Sequence, residues 1–157
     1  MKLCQKYPKE IGMEMGQEFD NKFQLKFDAK LINEGFARSM VATFCVQLNP
    51  SVSEINDIKT AVSEAVTNSI VHGYAGKGGE IEIFVGIMNS VAYIKISDKG
   101  CGIDDIEKAR QPFFTTKAKQ ERSGMGFTLM ESFMDTLKVY NNQDCGVTVE
   151  MSKEIRS

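Results

Sequence analysis

The chain has 157 residues, of which 42% are hydrophobic, and it carries a net charge of −2 at pH 7. A chain of this length and composition can bury one hydrophobic core, but it has no room for a second domain. The small net charge gives no electrostatic reason to expect binding to nucleic acid or membrane, and no stretch is long and apolar enough to span a bilayer. The four cysteines form neither a CxxC pair nor a metal-binding spacing, which favours reduced thiols and a cytoplasmic location.

The first half of the chain predicts a strand followed by two helices. Residues 23–27 alternate apolar and polar side chains, and residues 34–48 have a helical periodicity that an Asn-Pro pair interrupts. Ser51 and Glu54 then have the spacing of a capping box, so a second helix begins here. Its apolar side chains recur every three or four residues and predict packing against a sheet. They are Ile58, Ala61, Val62, Ala65, Val66 and Ile70.

The second half predicts two hairpins separated by helices. The predicted elements are strands at 80–88 and 91–97 joined by a tight turn, a short helix at 106–110, a polar segment at 112–123, a helix at 127–134, and strands at 137–140 and 147–151. Together these elements predict an α+β two-layer sandwich, with a mostly antiparallel mixed sheet and helices on one face. We expect one domain at 23–152, a disordered N-terminal extension at 1–22 and a C-terminal tail at 153–157.

The first of three candidate functional motifs lies on the second helix. Glu64, Asn68 and His72 are four residues apart and therefore share one side of the helix. An Asn side-chain oxygen suits a hard cation such as Mg²⁺, which keeps several waters and is completed by substrate phosphates. A Glu one turn earlier can accept a proton from an attacking hydroxyl. A solvated helix face has the same pattern, so this motif alone leaves both interpretations open.

The second motif, DKGCGI at 98–103, follows the end of a predicted strand. Asp98 accepts hydrogen bonds and would suit the exocyclic amine of adenine, which donates them. Gly100 and Gly102 would let the backbone approach a ligand closely. An Asp-x-Gly-x-Gly run after a strand is otherwise an ordinary turn. Cys101 lies between the glycines, where oxidation could affect nucleotide binding, although a bystander thiol is the simpler interpretation.

The third motif, GMGF at 124–127, opens the helix predicted at 127–134. Glycines at a helix start leave backbone N–H groups free at the positive end of the helix, which favours phosphate. A glycine-rich helix start is a weak signal by itself. In this order and spacing, the three motifs resemble the ATP-binding fold shared by gyrase, Hsp90, histidine kinases and MutL.

Within that superfamily, four segments of the chain resemble the anti-sigma F factor family of endospore-forming bacteria. The segments are SEAVTN at 63–68, HGY at 72–74, ARQPFFTTK at 109–117 and ERSGMGF at 121–127. The resemblance covers about residues 23–149. It implies an inhibitor of sporulation sigma factor F that is also a serine kinase, using Mg²⁺ and ATP to phosphorylate the anti-anti-sigma factor. It also implies a homodimer that contacts neither nucleic acid nor membrane.

The resemblance assigns roles to individual residues. Glu64 would be the catalytic base, Asn68 would coordinate Mg²⁺, Asp98 would recognise adenine, and Arg38 would contact the sigma factor. The remaining implied ATP-binding residues shape the pocket or belong to a mobile lid over the phosphates. They are Gly100, Gly102, Ile103, Thr115, Thr116, Lys117, Arg122, Ser123, Gly124, Met125, Gly126 and Phe127.

Several alternatives remain at this stage. The chain could be the related general-stress switch kinase for another sigma factor, or a detached histidine-kinase catalytic domain. It could also be a nucleotide-gated sigma-binding module that transfers no phosphate, although Glu64 argues against this because binding alone needs no base. Phe36, Met40 and Phe44 recur at helical spacing and could form a dimer contact or belong to the core.

Overall fold

The computed structural model describes residues 18–112 and 125–156. Five strands form one sheet in the order β1-β2-β3-β5-β4, and every pairing between the described strands is antiparallel. The sheet is therefore antiparallel throughout this part of the chain, rather than mixed as the sequence suggested. The strands are β1 Asn21–Asp28, β2 Glu80–Met88, β3 Val91–Ser97, β4 Thr136–Asn141 and β5 Val147–Glu154.

The helices are α1 Glu34–Cys45, α2 Val52–Asn68, α3 Ile106–Ala109 and α4 Gly126–Phe133. A 3-10 turn at Val46–Leu48 continues α1, and the chain then reverses at Asn49, which has a positive φ of 53°. The predicted capping box at the start of α2 is confirmed, because the Ser51 side chain accepts from the Glu54 N–H while the Glu54 carboxylate accepts from the Ser51 N–H. The predicted polar segment 112–123 lies, apart from Pro112, outside the described residues.

The hydrophobic core lies between the helices and one face of the sheet. Successive strand side chains point to opposite faces, so alternate residues of β2 and β3 enter this core. The other face is largely polar, and there Phe19 packs its ring 5.3 Å from that of Phe84. The α+β two-layer arrangement is thus confirmed. Core side chains from both layers include Val41, Ile58, Val62, Ile81, Ile83, Val85, Ile94, Ile96 and Met130.

The apolar side chains of α1 are divided between the core and the surface. Phe44 packs on Phe23 of β1, with ring centroids 4.7 Å apart. Phe36 and Met40 are instead 50% and 40% exposed. Phe44 therefore belongs to the core, whereas for Phe36 and Met40 the dimer contact stays a prediction. None of the helices within 18–112 and 125–156 is long and apolar enough to cross a membrane.

Candidate nucleotide-binding site

The C-terminal half of α2 and the start of α4 meet at Glu64, Asn68 and Gly126. A methyl group built on Gly126 would lie 3.2 Å from Glu64 Oε2 and 3.2 Å from Asn68 Nδ2. Glycine therefore allows the first turn of α4 to sit directly beside both polar side chains. The first and third motifs, 58 residues apart between Asn68 and Gly126, therefore lie side by side. We call the region bounded by α2, α4 and the loop after β3 the cleft.

Asp98 directly follows the end of β3, and the residue is only 4% exposed. Its Oδ2 accepts a hydrogen bond of 2.7 Å from the Ser69 hydroxyl, and its Oδ1 accepts from the N–H groups of Gly100 at 2.9 Å and Val147 at 3.2 Å. A buried carboxylate needs such donors, because burial without hydrogen bonds is costly. These three donors fix the orientation of the group predicted to recognise adenine.

A π-helical turn at Ser69–Gly73 connects the first motif to the second. It follows Asn68 directly and brings the Ser69 hydroxyl to Asp98, while the carbonyl of Gly73 accepts from the Cys101 N–H at 2.9 Å. Such turns widen a helix locally and are frequent at functional sites. Asn68, the candidate Mg²⁺ ligand, and Ser69, which donates to the candidate adenine acceptor Asp98, are therefore adjacent in the sequence.

The glycines of the second motif are required by close backbone contacts. A Cβ on Gly100 would lie 2.2 Å from the carbonyl oxygen of Gly73. Gly102 has a φ of +79°, and a Cβ there would lie 3.0 Å from Asn141 Oδ1. Neither position has room for a side chain, so this loop packs tightly on the π turn and on the end of β4.

The predicted site residues fall into three groups. Glu64, Asn68, Asp98, Gly100, Gly102 and Gly126 line the cleft or its walls, while Ile103 and Phe127 are half-buried against the core and Met125 precedes α4. Arg38 lies on α1 rather than in this cleft, where it pairs with Glu34 at 3.4 Å. Thr115, Thr116, Lys117, Arg122, Ser123 and Gly124 lie outside the described residues.

Two side-chain oxygens beside Gly126 are of the donor type that Mg²⁺ prefers. Asn68 Oδ1 lies 3.4 Å and Glu64 Oε2 lies 3.2 Å from the point where a Gly126 Cβ would stand. Over 18–112 and 125–156, no three His, Cys, Asp or Glu side chains are grouped so that they could hold a metal. Mg²⁺ commonly takes one or two protein oxygens, and substrate phosphates and water complete its coordination.

Sequence reasoning missed three polar residues that organise the cleft. Ser69 orients Asp98, and the side chains of Asn141 and Asn142 hold the backbone of the second motif at Ile103 and Asp98 respectively. Ser69 could have been suspected, because a hydroxyl next to Asn68 on a helix that enters a core needs a partner. Asn141 and Asn142 carry no such signal, since polar residues after a strand normally indicate a turn.

Comparison with known proteins places the fold and the sequence in the same family. A family model described as a histidine kinase-like ATPase domain matches residues 27–153. The catalytic domain of histidine kinase ThkA superposes with a TM-score of 0.54 at 18% identity, covering 88% of this chain and 97% of that one. The fold and the cleft therefore define a histidine kinase-like ATPase domain.

Curated relatives narrow this class. An anti-sigma F factor of Thermoanaerobacter sp. (strain X514) is 54% identical over 129 residues, which are 82% of this chain and 90% of the relative. The anti-sigma F factor of Bacillus subtilis (strain 168) is 50% identical over 124 residues, 78% of this chain and 85% of the relative. The chain belongs to the anti-sigma F factor family of histidine kinase-like ATPases.

Proposed function

We propose that this protein is an anti-sigma factor that inhibits sporulation sigma factor F and an ATP-dependent serine kinase that phosphorylates, and so inactivates, the anti-anti-sigma factor. The observation that carries the proposal is the close approach of Gly126, in the first turn of α4, to Glu64 and Asn68. The residue after Asn68 is Ser69, whose hydroxyl orients Asp98. In this arrangement the proposed base and the proposed cation ligand would share one cleft with the proposed adenine acceptor. The names of the curated relatives favour sigma factor F over the general-stress alternative.

ATP would bind with its adenine at Asp98 and its phosphates at the start of α4. The exocyclic amine of adenine donates to the Asp98 carboxylate, whose direction is already set by Ser69 and Gly100. The first turn of α4 lies beside Asn68, and its backbone N–H groups can donate to phosphate oxygens. Asn68 would hold the Mg²⁺ ion, which supplies charge neutralisation at the phosphates when it is bound.

Glu64 would act as the base in phosphoryl transfer to a serine hydroxyl. The serine proton passes to the Glu64 carboxylate as the serine oxygen bonds to the γ-phosphorus, and the bond from that phosphorus to the bridging oxygen breaks, releasing ADP. Positioning and charge neutralisation supply most of the rate in such reactions. The proposed lid residues Thr115, Thr116, Lys117, Arg122 and Ser123 would add charge and hydrogen bonds at the phosphates.

Sigma-factor binding would use a different surface from the cleft. Arg38 is 43% exposed on α1, so its guanidinium is accessible to a carboxylate of a protein partner. The exposed apolar side chains of α1 would form a homodimer interface. A weakly charged chain of this kind is proposed to act in the cytoplasm, with protein partners rather than nucleic acid.

The kinase proposal is tested by transfer of labelled γ-phosphate to the anti-anti-sigma protein from the same genome. With Mg²⁺ present, label should appear on a partner serine, and Glu64→Gln should lower the rate by at least about a hundredfold, because general-base contributions are of this size. Asn68→Ala should abolish transfer as well. Glu107→Gln, an exposed glutamate on α3, is the matched control and should retain the full rate.

The opposite outcome is equally informative. If the unsubstituted protein binds ATP and captures the sigma factor but transfers no label, the kinase half of the proposal is wrong and a nucleotide-gated binding module remains. An unchanged rate in Glu64→Gln would remove Glu64 from the mechanism.

A further inference from the structure

We propose that Tyr74 and Asn141 are positioning residues for nucleotide selection, which hold the two ends of the 99–103 loop so that Asp98 discriminates adenine from other purines. This inference rests on the proposed role of Asp98. Each of the two residues acts on Asp98 indirectly, because each one is hydrogen-bonded to the backbone of the loop that follows Asp98.

Tyr74 secures the beginning of the loop. Its hydroxyl accepts a hydrogen bond of 2.8 Å from the Lys99 N–H and donates to the carbonyl of Glu80, the first residue of β2. The phenol thus links the backbone immediately after Asp98 to the sheet. Because one hydroxyl makes both bonds, removing it leaves the Lys99 N–H without this protein partner.

Gly79 provides the space that the Tyr74 ring occupies. A Cβ on Gly79 would lie 2.2 Å from Tyr74 Cε1, well inside any real carbon–carbon contact. Even alanine at this position would therefore displace the ring and its hydroxyl. The glycine-rich stretch before β2 contains no predicted site residue. Its Gly79 is nevertheless needed, because it leaves space for the tyrosine that supports the loop.

Asn141 secures the other end of the loop from the last residue of β4. Its side-chain oxygen accepts from the Ile103 N–H at 2.8 Å, and its side-chain nitrogen donates to the Ile103 carbonyl at 2.8 Å. This paired arrangement imitates a rung of a β-ladder and fixes both the position and the orientation of the peptide groups at Ile103. The amide groups of Asn and Gln carry a donor and an acceptor side by side on one planar group, as this pairing requires.

Tyr74 and Asn141 act at the two ends of a segment that contains two glycines, while the bond from the Cys101 N–H to the Gly73 carbonyl holds its middle. Gly100 and Gly102 have more backbone freedom than other residues, so an unanchored loop would sample several conformations. The Gly100 N–H is itself a donor to Asp98 Oδ1 at 2.9 Å. Movement of the loop would therefore change the hydrogen bonding of the carboxylate that faces the base.

The expected consequence is a loss of base discrimination rather than a uniform loss of binding. Inosine triphosphate differs from ATP at the position of the exocyclic amine, where it has a carbonyl oxygen. An oriented Asp98 carboxylate accepts from the amine but faces a second acceptor in inosine, which is unfavourable. A carboxylate free to turn away penalises inosine less.

The test is calorimetric titration of ATP and of inosine triphosphate into the unsubstituted protein, Tyr74→Phe, Gly79→Ala and Asn141→Ala. We expect the ratio of ATP affinity to inosine triphosphate affinity to fall about tenfold in each variant, as loss of one oriented hydrogen bond would give. Asn56→Ala removes an exposed amide from α2 and should leave the ratio unchanged. Tyr74→Phe deletes a single oxygen and preserves the ring, so it keeps the test valid if the other variants unfold.

Two results would count against the inference in different ways. If the unsubstituted protein discriminates and the variants keep the same ratio, even with both affinities lowered together, Tyr74 and Asn141 have only a structural role and the inference is overturned. If the unsubstituted protein binds both nucleotides equally, the assignment of Asp98 to adenine is itself wrong.

Discussion

The carboxylate of Glu54 accepts hydrogen bonds from the backbone N–H groups of Arg156 and Ser51 and from the Ser51 hydroxyl. The hydrogen bond from the Arg156 N–H makes the largest contribution to the pKa of Glu54. Together these bonds lower that pKa from 4.5 to about 2. Because the charged form is the one stabilised, the bonds favour the folded state above pH 4.5, and this advantage is lost as the pH falls through about 2.

Glu54→Gln should therefore lower stability at neutral pH, and the difference from the unsubstituted protein should shrink steadily between about pH 5 and pH 2. Urea midpoints measured over this range provide the check. Glu107→Gln serves as the comparison, since its side chain is exposed on α3. A difference for Glu54→Gln that stays constant with pH would contradict the assignment.

Cys45 is buried in the core, unlike the other two cysteines that the structure describes. Its side chain is fully buried, and desolvation raises the pKa of its thiol to about 12, whereas Cys101 and Cys145 are exposed. Since the thiolate is the reactive form, Cys45 should resist alkylation in the folded protein. Iodoacetamide labelling followed by peptide mass spectrometry should find Cys101 and Cys145 modified and Cys45 modified only after unfolding. Equal rates at all three would show that the core opens readily.

At the scale of the elements, Lys153 of β5 links two helices to the sheet. Its ammonium group donates to the Phe133 carbonyl at the end of α4 at 2.6 Å and to Asp57 Oδ2 on α2 at 3.0 Å. The side chain is 13% exposed, so the contact is shielded from solvent. A cation at a helix C-terminus is favourable because it faces the negative end of the helix dipole. Lys153 thereby holds α4 in the position that brings Gly126 to the cleft.

Lys153→Met should destabilise the protein by about 2 kcal/mol, because it leaves the Asp57 carboxylate and a helix-end carbonyl without their charged partner. Urea denaturation followed by circular dichroism measures this directly. Lys77→Met, in the exposed turn before β2, is the matched control and should change stability little. A Lys153→Met variant as stable as this control would mean that the buried contact contributes no net free energy.

At the scale of the whole molecule, four exposed apolar side chains lie within residues 31–40, in the turn before α1 and in α1 itself, and we call them the α1 surface. They are Leu31, Ile32, Phe36 and Met40, exposed by 62%, 86%, 50% and 40%. Exposed apolar groups clustered in this way are typical of protein interfaces. The α1 surface is therefore the proposed location of the homodimer contact.

If the proposed homodimer forms through the α1 surface, Ile32→Glu should convert it to a monomer, because it places a charge at the most exposed apolar position of that surface. Sedimentation velocity would report the change. Val52→Glu introduces the same charge at a residue that is 77% exposed at the start of α2 and should leave the dimer intact. Sedimentation of the unsubstituted protein as a monomer would refute the homodimer.

Local sequence determined much of this molecule. The bounds of β2 and β3 agree with the predicted strands, and the capping box at Ser51 formed as expected. These features depend on residues within a few positions of one another, so propensity, periodicity and turn chemistry suffice to predict them. The three motifs were also recognisable, because their order and spacing carry the family resemblance.

The tertiary structure alone decided how the cleft is held together. Asp98 is oriented by Ser69 and by Val147, which are 29 and 49 residues away, and Ile103 is held by Asn141 across 38 residues. Periodicity cannot reveal such pairs, since they depend on the packing of β5 beside β3 and on the π turn at the end of α2. The same holds for Arg38, whose separation from the cleft follows from the position of α1. The sequence by itself thus identified which groups could bind a nucleotide, while the packed fold determined which backbone and side-chain partners hold them there, because hydrogen bonds between distant residues form only once the layers are assembled.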